Sequence, residues 1–339
     1  MLTTLAVVGA TVALMACGSG SDATGDESAS AGNDASKSEP TTLKMGFLND
    51  FAAANVWTLE KCLAGNNVTL EMEPFTQWAD VQRAFQSGAV DLGVMGYQNL
   101  AQMVAAGFKD FKLIAGVNNG DTYVTERSGL KLDTWSDLEG KKVGIPPNSF
   151  SDMLFRTVVA SHGVDVKKIE FVNFPGAGPA MLAAIKGGDI DVMVAWEANG
   201  AHAKAQGIGD YSALDIEQGA LGKANSVLYA SDKLLAENRN AAQSVVNCLV
   251  QRTDELSASP QEWISIATAK TGLPQNVAEI AIEKVTMDVK LYPDTAEEII
   301  QAFSKLGLVE DVSSSVPEHI EFSFLEKATG KPASELGGS

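Results

Sequence analysis

Several short stretches of the chain carry residue types suited to holding a small ligand. In Gly144-Ile145-Pro146-Pro147-Asn148-Ser149-Phe150-Ser151-Asp152 the prolines stop a strand, and Ser149 is placed to cap a helix with Asp152 three residues on, as in a capping box. A helix N-terminus has backbone N–H groups without intrahelical partners and the positive end of the macrodipole, so it can hold an oxyanion without Lys or Arg. The Ser149 and Ser151 hydroxyls are expected to face that site. Pro175-Gly176-Ala177-Gly178-Pro179 offers a second terminus, because Pro179 suits the first helical position and Gly176 lets a ligand approach the backbone.

Matching junctions occur earlier, at Asn49-Asp50-Phe51, at Trp78 after Thr76-Gln77, and at Tyr97-Gln98 after Gly96; Asn118 lies in a polar run behind a strand. Phe51, Trp78, Tyr97, Phe150 and Trp196 all fall at strand-to-helix junctions, which suggests an apolar body on the ligand, although each taken singly also reads as core. Glu197 follows Trp196, where a carboxylate either accepts from a ligand amine or orders the backbone around it. Asp50 is open to the same two readings.

No chemistry beyond binding is indicated. His162, His202 and His319 are scattered, without a Cys cluster or an H-E-x-x-H spacing, and there is no nucleophile elbow, P-loop or dinucleotide fingerprint. No catalytic residue, metal or cofactor is expected. With 25 Lys and Arg against 43 Asp and Glu, a formal net charge of -18, nucleic acid is excluded as a partner. An anion in such a chain must be recognised by local groups and not by the overall field.

The elements that position these residues follow from a repeat. Ala84-Phe85-Gln86-Ser87-Gly88-Ala89-Val90-Asp91-Leu92-Gly93-Val94-Met95 answers Ala184-Ile185-Lys186-Gly187-Gly188-Asp189-Ile190-Asp191-Val192-Met193-Val194, about one hundred residues on. Each copy reads as a helix end, a glycine turn, an Asp and a strand. Upstream, Lys44-Met45-Gly46-Phe47 answers Lys142-Val143-Gly144-Ile145. The fold class is therefore α/β, with two lobes of βαβ type. A first crossing is expected within Leu113 to Val124 and a return near Asn225 to Ala230. Ala241 to Leu256 and Gln275 to Val285 have amphipathic helical spacing and are expected to rejoin the first lobe. The lobes are thus assigned to residues 43–122 with 226–339, and to 123–225.

Ahead of the lobes, Leu2 to Ala16 is apolar or small and ends in Leu14-Met15-Ala16-Cys17-Gly18, which resembles a bacterial lipobox. Residues 1–16 read as a lipoprotein signal peptide, too short to span a bilayer as a helix, with Cys17 as the lipidated residue. No Lys or Arg precedes the run, a departure from the usual positive start. Residues 17–42, rich in Ser, Gly, Ala and Asp, read as a disordered tether. Cys62 and Cys248 are either a disulfide or two buried thiols.

Together these motifs resemble the taurine, alkanesulfonate and nitrate binding proteins of ABC importers, which share the type II periplasmic-binding fold with two lobes of mixed sheet joined by two hinge crossings. The resemblance is carried by Gly46-Phe47-Leu48-Asn49, the run from Ser87 to Gly96, Gly140 to Pro146, and Gly187 to Asp191 followed by Val194-Ala195-Trp196-Glu197. It implies a monomeric extracytoplasmic receptor, lipid-anchored to the membrane, that closes on a small organic anion such as taurine or another sulfonate and delivers it to ABC permease and ATPase subunits. It also implies anion contacts at Ser149, Phe150, Ser151, Tyr97, Gln98 and Trp196. Two departures bear on the ligand: Tyr97 and Gln98 stand where the family often has small hydroxyl residues, and Ala198-Asn199 stands where it often has Pro. Both suit a larger acid, so an aromatic carboxylate or a thiamine-pyrimidine precursor is the alternative. The same fold also hosts pyrimidine-synthesising proteins that consume one of their own histidines.

Overall fold

The structure, a computed structural model, describes residues 40–338 apart from 50, 218–219 and 223–225. The apolar leader, Cys17, nearly all of the expected tether and the candidate ligand residue Asp50 lie outside the described residues.

Eleven strands are described: β1 (Thr41–Leu48), β2 (Val68–Phe75), β3 (Leu92–Gly96), β4 (Phe111–Asn119), β5 (Thr122–Arg127), β6 (Lys142–Ile145), β7 (Glu170–Asn173), β8 (Val192–Trp196), β9 (Gly209–Tyr211), β10 (Ser226–Ser231) and β11 (Thr286–Met287). They form two mixed sheets, ordered β11-β4-β10-β3-β1-β2 and β7-β6-β8-β5-β9. The architecture is the α/β arrangement the repeat implied. β1 starts at Thr41, two residues before Leu43, because Thr41 and Thr42 continue the parallel pairing with Val68 and Thr69.

The repeat is one βαβ unit used twice. In the first sheet β1 runs parallel to β3 with Met45 opposite Leu92, and in the second β6 runs parallel to β8 with Val143 opposite Val192. Gly88 and Gly188 end the preceding helices at φ of 73° and 78°, a conformation that glycine adopts without steric cost. The repeated aspartates clasp the strands. Asp91 Oδ2 accepts from the Lys44 amide at 2.9 Å, and the Asp91 amide donates back to the Lys44 carbonyl at 2.9 Å. Asp191 does the same with Lys142, at 3.1 and 2.8 Å, and its second oxygen accepts from Arg127 Nη2 at 3.1 Å.

The chain leaves the first sheet after Asn119 and enters the second at Thr122; it returns between Tyr211 and Ser226. The helix Arg239–Ala258 packs back on β4 and β11. Cys62 and Cys248 are joined in a disulfide across 186 residues of sequence, linking the short helix Leu59–Leu63 to that long helix. The next expected helix is shorter than its apolar spacing suggested. It spans Gln275–Ala281 and stops before a turn that carries the Lys284 carbonyl to the Tyr123 hydroxyl, 2.8 Å away. It also packs on Asn199–Ala205, a helix beside the second sheet, so this part of the C-terminal segment does not simply rejoin the first.

Replacing both Cys62 and Cys248 by Ser should lower unfolding stability by about 5 kcal/mol, from the loop-closure entropy of so long a connection. Asp191→Ala should cost about 2 kcal/mol through the lost clasp. Urea melts of the purified variants measure both.

Candidate functional site

Where strand ends meet helix starts, the two sheets face each other across a cavity of about 260 Å³. The first sheet contributes Thr76, Gln77, Trp78 and Ala79; the second contributes the prolines 146 and 147, Asn148, Ser149, Pro175, Gly176 and Trp196. None of these residues carries a formal charge.

Two helices begin at this cavity. Trp78–Gln86 follows Gln77, whose carbonyl accepts from the Asp80 amide at 3.1 Å, and Phe150–Ser161 follows Ser149. Ser149 Oγ accepts from the Asp152 amide at 3.2 Å and donates to the Pro146 carbonyl at 2.8 Å. The capping box is modified: Asp152 Oδ2 accepts from the Asn148 amide, not from that of Ser149, at 2.9 Å, and Oδ1 takes Arg156 Nε at 2.5 Å. Asn148, at φ 61°, is in the left-handed region, and its amide is the one that Asp152 holds. The amides of Trp78, Ala79, Phe150 and Ser151 belong to first turns and have no intrahelical acceptor. Two helix starts, one from each sheet, therefore border one space, with Trp78 and Trp196 in its walls.

Of the residues singled out from sequence, Trp78, Ser149, Gly176 and Trp196 meet at this cavity. Asn118 lines a smaller one, of about 10 Å³, whose wall also includes Trp78 and Ser226. Asn49 is exposed on the turn behind β1. Three of the five aromatics are packed elsewhere. Phe51 stacks on Trp263 with ring centres 5.6 Å apart, and its carbonyl accepts from Trp263 Nε1 at 3.2 Å. Tyr97 is fully buried and its hydroxyl accepts from the Tyr292 amide at 3.1 Å; burial pushes its pKa far up. Phe150 packs on Phe303 of the helix Pro293–Lys305, 5.8 Å away. A first-turn side chain points back and sideways from its helix, so an aromatic there reaches the adjoining core as readily as the cleft.

Ser151 is buried and shares a 2.9 Å hydrogen bond with the Thr122 hydroxyl, tying its helix to the first crossing. Gln98 is buried with its amide folded back on Gly96. Glu197 serves its own surroundings: Oε1 accepts from the Tyr211 hydroxyl at 2.8 Å and Oε2 from the Ala201 amide at 3.2 Å. The three histidines are likewise in packing roles, with His319 stacked on Phe111 and His162 on Trp135, and His202 bonded to Gln206.

Sequence reasoning placed the first crossing within Leu113 to Val124, where the chain does pass from β4 to β5, but it did not single out Glu217. The Glu217 carboxylate accepts from the Thr122 amide at 2.8 Å, and Gly120, at φ 47°, lies so close that a Cβ there would meet it at 2.6 Å. Nothing in the local pattern marks Glu217, since its partners lie 95 residues away. Burial raises Glu197 to about 7 and Glu217 to about 8, the latter helped by repulsion from Asp121. Protonated carboxyls at these positions lessen the negative field beside the cavity.

A family model described as NMT1/THI5 like matches residues 64–263. The chain is 27% identical over 239 residues to a Haemophilus influenzae protein whose name assigns it to thiamine biosynthesis, covering 65% of this chain and 70% of that one. It is 29% identical over 135 residues to the taurine-binding periplasmic protein of Escherichia coli, covering 39% of this chain and 40% of that one. Among solved structures, the ligand-binding component of an ABC-type import system from Staphylococcus aureus superposes with a TM-score of 0.73 at 19% identity, covering 86% of this chain and all of that one.

The raised acids make stability depend on pH. A carboxyl whose folded pKa lies above its unfolded value binds more protons when folded, so its contribution is complete below about 4.5 and is lost as pH rises to 7 or 8. From pH 5 to pH 8.5 the protein should lose on the order of 6 kcal/mol of stability on this account. The double variant Glu197→Gln, Glu217→Gln should flatten that slope in thermal melts.

Proposed function

Because the chain belongs to the NMT1/THI5-like family, we propose that it is the extracytoplasmic solute receptor of an ABC importer, capturing a small organic anion such as taurine or another sulfonate. The observation that carries this reading is the convergence of two helix N-termini, one from each sheet, on an uncharged cavity walled by Trp78 and Trp196. Preoriented amides replace the hydration of an oxyanion, and the rings cover its apolar body. The importer partners, a permease and an ATPase, follow from the relatives' role.

Residues 43–122 with 226–339 form one lobe and 123–225 the other in this reading. They close about the crossings at Gly120–Asp121 and Glu217. Ligand that touches both lobes binds the closed arrangement better than the open one, and that difference in affinity drives capture. Lipid anchoring at Cys17 is supported by the Leu14 to Gly18 motif, and the disulfide suits an oxidising compartment. The two Trp rings favour, as a second reading, a flat ligand such as an aromatic carboxylate or a thiamine-pyrimidine precursor.

A thermal-shift panel on the full chain separates these readings. A true ligand at a hundred times its Kd should add about 2.7 kcal/mol to stability. Taurine or an alkanesulfonate should shift the melt and Trp196→Ala should weaken that response at least tenfold; a response to neutral pyrimidines alone would replace the anion reading.

A further inference from the structure

The small cavity, which shares Trp78 with the outer one, holds a polar group that the protein leaves unmet. Asn118 is 3% exposed and lines this space, yet no donor of the described residues reaches its Oδ1. Leu48, Ala52, Ala53, Val94 and Val117 complete most of the wall with side chains that cannot donate. A second buried acceptor, Gln98 Oε1, is also unmet and lies against Gly96. Gly96 and Asn118 stand opposite Ser226 from its two sides, so both amides sit at one level of the sheet edge.

Resting on the reading of the outer cavity as the ligand site, we propose that the small cavity receives an N–H donor group of the ligand, with Asn118 Oδ1 as its acceptor. At about 10 Å³ the space has room for roughly one water-sized group, as an amino nitrogen is. Trp78 is common to both cavities, so a ligand whose anionic end lies at the helix termini passes its other end along this ring. A carboxamide oxygen accepts and cannot donate, so the site favours a ligand that carries an amino group over the same ligand without it. Among the described residues, Glu197, the carboxylate singled out as an acceptor for an amine, is already engaged through both of its oxygens. The ligand class this selects is an amino-bearing acid, in preference to a plain alkanesulfonate or an inorganic oxyanion.

Calorimetry on the full chain with two matched pairs tests it: 2-aminoethanesulfonate against ethanesulfonate, and 4-aminopyrimidine against pyrimidine. In whichever pair binds, the amino member should bind at least tenfold tighter, and Asn118→Leu should remove that advantage while leaving the other member's affinity within about twofold. Preference confined to the pyrimidine pair, with the same dependence on Asn118, would support the acceptor site and overturn the anion reading. Equal affinity within a binding pair in the wild-type chain would overturn this inference and leave the anion reading in place. An advantage that survives Asn118→Leu would do the same, and no binding by any of the four would overturn both.

Discussion

An aspartate carboxylate clasping the first strand of each βαβ unit is the contact on which the remaining geometry depends. Asp91 accepts from the amide of Lys44 and Asp191 from that of Lys142, and each aspartate donates its own amide to the same lysine's carbonyl. A parallel pair slipped by one residue would send every side chain to the opposite face. With the register held, β1, β3, β6 and β8 all end at the edge where the sheets face each other, and the helices that follow start there. Parallel βαβ units place ligands outside the carboxyl ends of their strands for this reason. The repeat is thus visible in sequence because both sheets need the same clasp.

The second constraint is electrostatic. A chain of net charge -18 has no general attraction for an anion, and the outer cavity has no Lys or Arg in its lining. The polar groups at its edge are the two helix starts, whose first turns are fixed by the hydrogen bonds of Ser149, Asp152 and Gln77. Nearby, Glu197 is buried and Glu217 half-buried at the crossings, where desolvation raises both carboxyls to about 7 and about 8. Glu217 ties the two crossings to each other through Thr122 and Gly120, and Ser151 ties the helix at the cavity to the first of them. Cavity and crossings are therefore mechanically adjacent.

Aromatic residues illustrate how far local pattern reaches. All five were placed by sequence at the junctions where they stand, yet only Trp78 and Trp196 line the cavity. Phe51 meets Trp263, Tyr97 meets Tyr292 and Phe150 meets Phe303, partners that lie far away in the chain. The C-terminal helices that supply them have ordinary amphipathic patterns, so nothing in those patterns says which junction each will cover. The disulfide is a similar case, since two cysteines permit a bond without requiring one.

The two-sheet α/β architecture, the doubled βαβ unit, the helix cap at Ser149 and the excess of acidic over basic residues were legible in the order of the residues alone. These are matters of neighbouring residues and short periods, which backbone sterics and local hydrogen bonds decide. Only the tertiary structure decided that Cys62 meets Cys248, that Glu197 and Glu217 turn inward at the crossings, and that Asn118 keeps an unmet oxygen beside Trp78. Each depends on contacts between segments tens to hundreds of residues apart, and a side chain's role is set by which of its bonds those distant partners have already made.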